Sequence, residues 1–580
     1  MPNTRRNPEQ MPRVTVERAL WILIAVIALT LRLTHLDAAP LNEREAYAAT
    51  LSWRAATGLA MHPSGCGADC SPLLFAANTL LFTLCGTSDA IARLWSAVLG
   101  GALALTPLML RRRLGRVGAL AAGVCLTISP TALFTSRQLD GATAAAVGGM
   151  MLLGGLTLFS NTRVRLWLTL SAGGLALAVT SSPSAYGLLL PLGLSWLILS
   201  QSQSDIDLSH LRPHISYFVT VFLLAALAFS TGLGWNLAGL EATVTLPLAW
   251  IADLRQTSNF LPSPITLLIV YEPLILLFGI GGLTWAVWRN ERFSLMLGLW
   301  AGLGVFSLSL APGWRPSDVL MILLPLAMLS GLAIGKLIQS LQKRGEWVSE
   351  GLHIPVVLIL WTHAYLTLAH YAKFGKPTDL FLTLLVITLQ LLLGLIFALT
   401  IRPIAALRSS AVGTGAVLLA FTLSIGWRVT HLRPADPREL LVRAPTALEV
   451  HDLAQTLREI SWRETGMPTT LPFTLEAAPD SVLAWYLRDF SAARRVDALA
   501  GKGVGATLVT PRRDITSIAR AKSGEYVGQD FALRRSWDPA EVRCLWGRPP
   551  RCDAAAGWLL FRHTPSPPMM DQQVVLWRNE

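Results

Sequence analysis

Two stretches of this sequence decide what solvent the chain can fold in. Ile265–Trp288 carries one charge, Glu272, and Leu380–Ile401 carries none. Each is as long as the roughly 20 apolar residues that a helix needs to cross the hydrocarbon of a bilayer. The chain is 52% hydrophobic and 14% charged over 580 residues. Soluble domains average about 25% charged residues, so this much apolar sequence cannot be hidden in one water-soluble core. The expected fold is a polytopic α-helical membrane protein of about 13 transmembrane helices, followed by a C-terminal α/β domain.

The net charge of +12 does not point to nucleic acid, because no basic, aromatic-interleaved soluble face accompanies it. Much of the excess sits in short clusters between apolar runs: Arg111-Arg112-Arg113, Arg163 and Arg165, Arg289 and Arg292, Lys343-Arg344, and Arg402 and Arg408. Such clusters mark cytoplasmic loops. They set the expected organisation: residues 1–18 as a cytoplasmic N-terminus, 19–428 as the transmembrane region with a first external loop at 36–88, and 429–580 as an extracytoplasmic domain. Only Lys373 and Lys376 run against this assignment. The multi-pass protein would lie in the cell membrane, with the lipid bilayer as its first partner.

The orientation depends on one short apolar stretch. Pro72–Gly86 is too short to span, and it is expected to lie in the interface as an amphipathic element. With it lying flat, the next span ends at Arg111-Arg112-Arg113 inside. The remaining runs, near 117–134, 141–159, 165–180, 185–200, 215–232, 264–288, 293–310, 317–338, 353–372, 379–401 and 411–428, then alternate consistently. In the C-terminal domain, Glu439–Arg443, Thr470–Glu476, Ala506–Thr510 and Val574–Trp577 read as strands. Thr446 and Glu449 read as a capping box opening a helix through Leu453, Leu457 and Ile460. Nothing there resembles a phosphate-binding glycine loop followed by a helix.

Cys66 and Cys70 share one loop, and Cys544 and Cys552 share another. In an oxidising compartment these would be two local disulfides; free thiols or a metal pair are the alternatives. A full set of zinc ligands at the usual spacing stands beside neither pair, which favours disulfides and no metal there.

The candidate chemistry clusters on the expected outer side. Glu43, Arg44 and Glu45 follow the first span, Arg137 and Asp140 lie between the third and fourth, and Glu272 sits within an apolar run. An ionisable side chain at membrane depth is costly and usually faces a cavity. A carboxylate could take a proton from an acceptor hydroxyl, and an arginine could hold a lipid-linked phosphate through paired hydrogen bonds. The bland readings are solvated charges for Glu43 and Glu45, a helix-end ion pair for Arg137 and Asp140, and a satisfied buried carboxyl for Glu272.

The pieces Arg32-Leu33, Leu36-Asp37, Pro40-Leu41, Glu45-Ala46, Ser52-Trp53-Arg54, Ser71-Pro72-Leu73, Gly86 to Leu94, Ser129-Pro130, Ser136-Arg137, Tyr271-Glu272 and Trp485-Tyr486-Leu487-Arg488-Asp489 occur in this order. In them the chain resembles the GT-C superfamily of membrane glycosyltransferases, most closely its flippase-activity-associated branch, related to dolichyl-phosphate-mannose protein mannosyltransferases. The resemblance implies an inverting transfer of sugar from a polyprenyl-phosphate donor to an unidentified extracytoplasmic acceptor. It implies Glu45, Glu43 and Asp140 as the acids of the site, with Arg137, Arg44 and Glu272 holding substrate. The family usually has an Asp-Glu pair where this chain has Arg44-Glu45, a second Arg and an Asp where this chain has Gln138-Leu139-Asp140, and a His where Cys70 stands. Two readings follow: Glu43 or Glu45 serves as base, or the scaffold binds lipid-linked sugar without catalysis, as an accessory of its export. A transporter would show repeated halves, and the sequence shows none. No cofactor is specified; none and a divalent cation both fit the family reading.

Overall fold

The computed structural model describes residues 15–59, 71–200, 209–255, 263–311, 313–342, 347–478, 481–497, 506–512, 526–542 and 552–579. Most of the N-terminal segment and three of the paired cysteines considered above, Cys66, Cys70 and Cys544, fall outside these residues.

The chain is a multi-pass membrane protein. Among the described residues eight helices are long and apolar enough to cross a bilayer, from Asp89–Leu114 to Pro403–Leu432. Two more runs expected as straight spans are bent pairs, Arg116–Ile128 with Pro130–Ser136 and Pro264–Tyr271 with Pro273–Arg289, turning by 59° and 107°. Both breaks fall at a proline. The ring removes a backbone donor, clashes with the preceding turn and disfavours helical geometry in the residue before it. The other three expected spans are helical but marginal. Arg165–Val179 and Ser184–Leu199 are short, and Val16–Leu33 carries Glu17, Arg18 and Arg32.

Eight helices build the part of the bundle that matters below: α1 (Val16–Leu33), α2 (Glu43–Ala56), α3 (Pro72–Cys85), α4 (Asp89–Leu105), α5 (Arg111–Leu114), α6 (Arg116–Ile128), α7 (Pro130–Ser136) and α8 (Ala142–Thr162). Helix α3 is 14 residues long, with Ser71 as N-cap and Pro72 in its first turn. At about 1.5 Å per residue it falls well short of the roughly 30 Å hydrocarbon core.

The C-terminal part is an α/β unit. Strands β1 (Thr474–Glu476), β2 (Arg494–Val496), β3 (Thr507–Pro511), β4 (Tyr526–Ser536) and β5 (Met569–Asn579) form one sheet in the order β2-β1-β3-β5-β4. β1 is parallel to β2 and β3, whereas β5 is antiparallel to β3 and β4. Three of the four expected strands are present with shifted ends. The fourth is not: Glu439–Arg443 is a turn-rich lead-in with no strand. The expected capping box is also absent. The helix Glu449–Thr465 starts after Leu448 without a side-chain cap, because the Thr446 hydroxyl donates to the Leu41 carbonyl at 2.7 Å instead.

The unit does not keep its core to itself. Leu41, Ala46, Ala49, Leu74, Phe82 and Leu139 from the membrane side share one hydrophobic cluster with Leu453, Leu457, Trp485, Val509 and Leu576. Burial of this shared apolar surface seats the sheet domain directly on α2 and α3.

Candidate functional site

Between the bundle and the sheet domain lies a cavity of about 740 Å³. Its walls are the start of α2 (Asn42, Glu43, Arg44, Glu45), α3 (Leu74, Phe75, Asn78), the turn from α7 to α8 (Gln138, Leu139, Asp140, Gly141), Ser181–Pro183, Arg315–Ser317, the lead-in residues Leu441, Arg443 and Ala444, and Ala478, Ser481 and Arg534 of the sheet domain. The three acids expected to meet, Glu43, Glu45 and Asp140, thus line one space together with Arg44.

Their circumstances differ. Asn42 caps α2, its side chain accepting from the Arg44 and Glu45 N–H groups at 3.1 and 3.0 Å. Glu45 answers by accepting the Asn42 N–H at 3.0 Å, a reciprocal capping box. The same carboxylate takes two hydrogen bonds from Arg93, Nε at 2.9 Å and Nη2 at 2.7 Å, and one from the Leu139 N–H at 2.7 Å. Glu45 is 2% exposed. Every face of its carboxylate is committed to holding the fold, so its geometry is that of an anchor more than of a proton acceptor. Glu43, on the next face of the same turn, has a side chain 70% exposed and lies 4.0 Å from the Arg534 guanidinium. Asp140 is half-buried, with Oδ1 accepting the Ala142 N–H at 3.0 Å at the start of α8.

Arg137 does not join them. Its guanidinium donates to the carbonyls of Leu31, Arg32, Thr34 and His35, groups left over at the C-terminal end of α1. It borders a separate space of about 30 Å³. Glu272 also lies apart from the cavity lining, fully buried at the break of the second bent pair, where Oε1 accepts from Ser129 Oγ at 2.6 Å and the Thr131 N–H at 2.9 Å.

Three arginines that no motif singles out, Arg315, Arg443 and Arg534, reach the cavity from stretches more than 90 residues apart. The partner of Glu45, Arg93, also donates to the carbonyls of Leu36, Ala39 and Pro40, fixing the chain just before α2. The Trp485-Tyr486 motif has a structural reading as well. Trp485 Nε1 donates to Asp89 Oδ1 at 2.8 Å and Tyr486 Oη to Asp89 Oδ2 at 2.5 Å, while Tyr486 Oη accepts the Leu41 N–H at 2.8 Å. Burial, and then the Asp89 carboxylate, push the Tyr486 phenol well above its ordinary range, so it remains a donor. Arg488 donates to the Thr87 carbonyl at 3.2 Å. The motif pieces Gly86–Leu94 and Trp485–Asp489 are therefore the two halves of one joint.

Among the described residues no group of three or more His, Cys, Asp or Glu side chains converges closely enough to hold a metal ion. Cys552 is disulfide-bonded, and Cys85 and Cys125 are free thiols. The cavity offers an exposed and a half-buried carboxylate, guanidinium groups from several walls, and an apolar side formed by Leu74 and Phe75. It suits an amphiphile with an anionic head and a hydroxyl-bearing second molecule.

No protein-family model matches the sequence, and no curated protein matches it. Solved structures do. The chain is similar to ArnT from Cupriavidus metallidurans bound to undecaprenyl phosphate, with a TM-score of 0.56 and 17% identity over 88% of this chain and 96% of that one. The apo state of the same protein gives a TM-score of 0.56 and 18% identity over 90% and 98%. An oligosaccharyltransferase from Archaeoglobus fulgidus, solved with a tethered acceptor peptide, gives 0.47 and 12% over 83% and 64%. What the ArnT likeness establishes is the fold.

Proposed function

We propose that this chain, which has the GT-C fold, is a membrane glycosyltransferase of the flippase-activity-associated branch that takes sugar from a polyprenyl-phosphate donor. The observation that carries the proposal is the cavity in which Glu43 and Asp140 meet Arg44, Arg315, Arg443 and Arg534 at the seam between bundle and sheet domain. The ArnT likeness, with undecaprenyl phosphate bound in that protein, supports a lipid-linked donor.

In the proposed reaction the acceptor hydroxyl attacks the anomeric carbon of the donor. The bond from that carbon to the phosphate oxygen breaks, and polyprenyl phosphate leaves with the electron pair. The hydroxyl proton passes to a carboxylate, without which a sugar hydroxyl is a poor nucleophile. Asp140 is the base of choice, with Glu43 as the alternative; Glu45 anchors α2 under both. Guanidinium groups stabilise the phosphate as it gains charge. We place the sheet domain outside the cytoplasm, from the arrangement of basic loops.

A second reading rests on a specific observation. The position at which the resemblance expects the acid is Arg44, and the neighbouring Glu45 is bound to Arg93. The site would then bind lipid-linked sugar without cleaving it. Purified protein in nanodiscs, given radiolabelled polyprenyl-phosphate sugar, separates the two. A glycosyltransferase releases polyprenyl phosphate, and Asp140→Asn slows that release by at least about 100-fold, the usual scale of general-base catalysis. Wild-type protein that binds the lipid but never releases sugar establishes the accessory reading.

A further inference from the structure

The motif Tyr271-Glu272 sits at the sharper of the two helix breaks, outside the cavity lining, and neither residue has a part in the proposed chemistry. Both breaks are X-Pro steps, Ser129-Pro130 and Glu272-Pro273, and the two pre-proline residues are bonded to each other. Ser129 Oγ donates to Glu272 Oε1 at 2.6 Å, and the same oxygen accepts the Thr131 N–H at 2.9 Å. A carboxylate there meets the unsatisfied donors at the start of α7. Helix α7 runs only to Ser136; its Phe134 and Thr135 already line the cavity, and the chain continues along it as Gln138–Gly141. Glu272 therefore fixes the root of the segment that presents Asp140.

Tyr271 reaches the other way. Its hydroxyl donates to Glu439 Oε2 at 2.7 Å and accepts the Leu440 N–H at 2.8 Å. Glu439 is ion-paired with Arg562 Nε at 2.9 Å, and both side chains are fully buried. The Arg562 guanidinium lies over the Tyr271 and Trp558 rings, 5.6 and 4.6 Å from their centroids. One residue beyond Leu440 the lead-in becomes cavity wall, as Leu441, Arg443 and Ala444. A buried ion pair contributes little net stability, although breaking it is expensive. Its place where the lead-in turns into the cavity points to a positional role.

We propose that Tyr271 and Glu272 are a two-armed brace, positioning residues that set the Asp140 turn relative to the Arg443 wall. The Glu272 arm holds one wall through α7, and the Tyr271 arm holds the other through Glu439 and Leu440. Because both arms leave one helix break, the relative position of the two walls depends on this dipeptide. The consequence for donor binding rests on the glycosyltransferase reading; the brace itself does not.

Hydrogen exchange of the full-length protein in nanodiscs tests the arms separately. Tyr271→Phe keeps the ring and removes both hydrogen bonds. It is expected to speed exchange of peptides spanning 439–444 by roughly tenfold, the scale of losing a hydrogen bond to a charged group, and to leave 129–140 unchanged. Glu272→Ala is expected to do the reverse, and Glu272→Gln, whose amide oxygen can still accept from Ser129 and Thr131, to restore wild-type exchange. Both Tyr271→Phe and Glu272→Ala should weaken binding of undecaprenyl phosphate severalfold while the thermal transition is retained. Unchanged exchange at 439–444 in Tyr271→Phe overturns the brace, as does faster exchange at both 129–140 and 439–444 in either variant. Should Glu272→Ala fail to fold, Tyr271→Phe decides alone. If wild-type protein binds no undecaprenyl phosphate, the functional reading fails and the exchange data still decide the brace.

Discussion

Replacing Glu45 separates an anchor from a base. Its carboxylate accepts four hydrogen bonds: two from Arg93, one from the Leu139 N–H and one from the Asn42 N–H. The side chains of Arg93 and Glu45 are 6% and 3% exposed, so solvent does little to screen the pair. Removing one member of such a pair leaves a buried, uncompensated charge and costs about 3–5 kcal/mol; that is the expected destabilisation for Glu45→Ala. Glu45→Gln keeps the volume but loses the charge and turns an NH2 group toward the Arg93 donors. It should cost about 1.5–3 kcal/mol, the worth of a hydrogen bond to a charged group. Replacing both residues by Met should not restore stability, although apolar substitution of an isolated ion pair often does. Five backbone groups would be orphaned: the N–H groups of Leu139 and Asn42 and the carbonyls of Leu36, Ala39 and Pro40. Unfolding free energies from steric trapping in bicelles, read alongside sugar release, give the answer. Glu45→Gln protein as stable as wild type within about 0.5 kcal/mol, the scale of an ordinary surface substitution, yet unable to transfer sugar would refute the anchor and make Glu45 the base.

Four further outcomes are expected. Gly141→Ala should disturb the cavity floor and cut donor binding without unfolding the bundle, because the added Cβ would fall 1.9 Å from the Ser181 carbonyl oxygen and 2.7 Å from its carbon; unchanged binding of undecaprenyl phosphate would count against this close approach. Tyr486→Phe should loosen the sheet domain by about 1–3 kcal/mol, since Asp89 loses a donor and the Leu41 N–H its acceptor, and limited proteolysis reads this out as faster release of the domain. Cys552 should pair with Cys544, closing a loop worth on the order of 2–3 kcal/mol in the chain-entropy model; alkylation and intact mass without reductant should find neither thiol free. A reporter fused after Glu580 should be active only outside the cytoplasm, and cytoplasmic activity would invert the topology.

The membrane class was legible because lipid imposes a length and a composition on every span, and Leu380–Ile401 meets both without help from its neighbours. The two bent pairs were legible in part: Ser129-Pro130 and Glu272-Pro273 stand inside apolar runs, where proline must break or kink a helix, but the bend angle is set by packing. The missed strands lacked a signal. β2 is three residues long and begins with Arg494-Arg495, and along β4 only Phe531 and Ala532 are buried, so neither carries an apolar alternation. The site was half visible. Asn42 followed three residues later by Glu45 is a helix-start pattern, a signal of an anchor that is passed over when Glu45 is taken for an acid of the site. That Arg93 completes the anchor could not be read, because 48 residues separate the two and the pairing exists only once α2 and α4 are packed. Arg137 was drawn into the site by its neighbour in sequence, Asp140. In space it satisfies the carbonyls that end α1, a demand made by another helix.

The sheet domain also helps to hold the start of α2. The segment that enters α2 is gripped on both sides of the peptide group at Leu41. Its N–H donates to Tyr486 Oη, its carbonyl accepts from Thr446 Oγ1, and its side chain is fully buried in the shared core. On the membrane side, Arg93 holds the carbonyls of Leu36, Ala39 and Pro40. Glu43, Arg44 and Glu45 begin only two residues after Leu41, so their position is fixed jointly by α4 and by the sheet domain. The Asp140 turn is held from both directions too, through α7 on one side and through the Leu139 N–H bound to Glu45 on the other. Glu43 and Glu45 are therefore placed by contacts that cross the seam between bundle and sheet, and the Asp140 turn is tied to that seam through Glu45. A buried polar network of this kind adds little net stability once its desolvation is counted, but it leaves few alternative arrangements for the groups it satisfies. A scaffold needed only to cross a membrane gains nothing from that restriction, whereas a site that must hold a hydroxyl, an anomeric carbon and a carboxylate within hydrogen-bond reach depends on it.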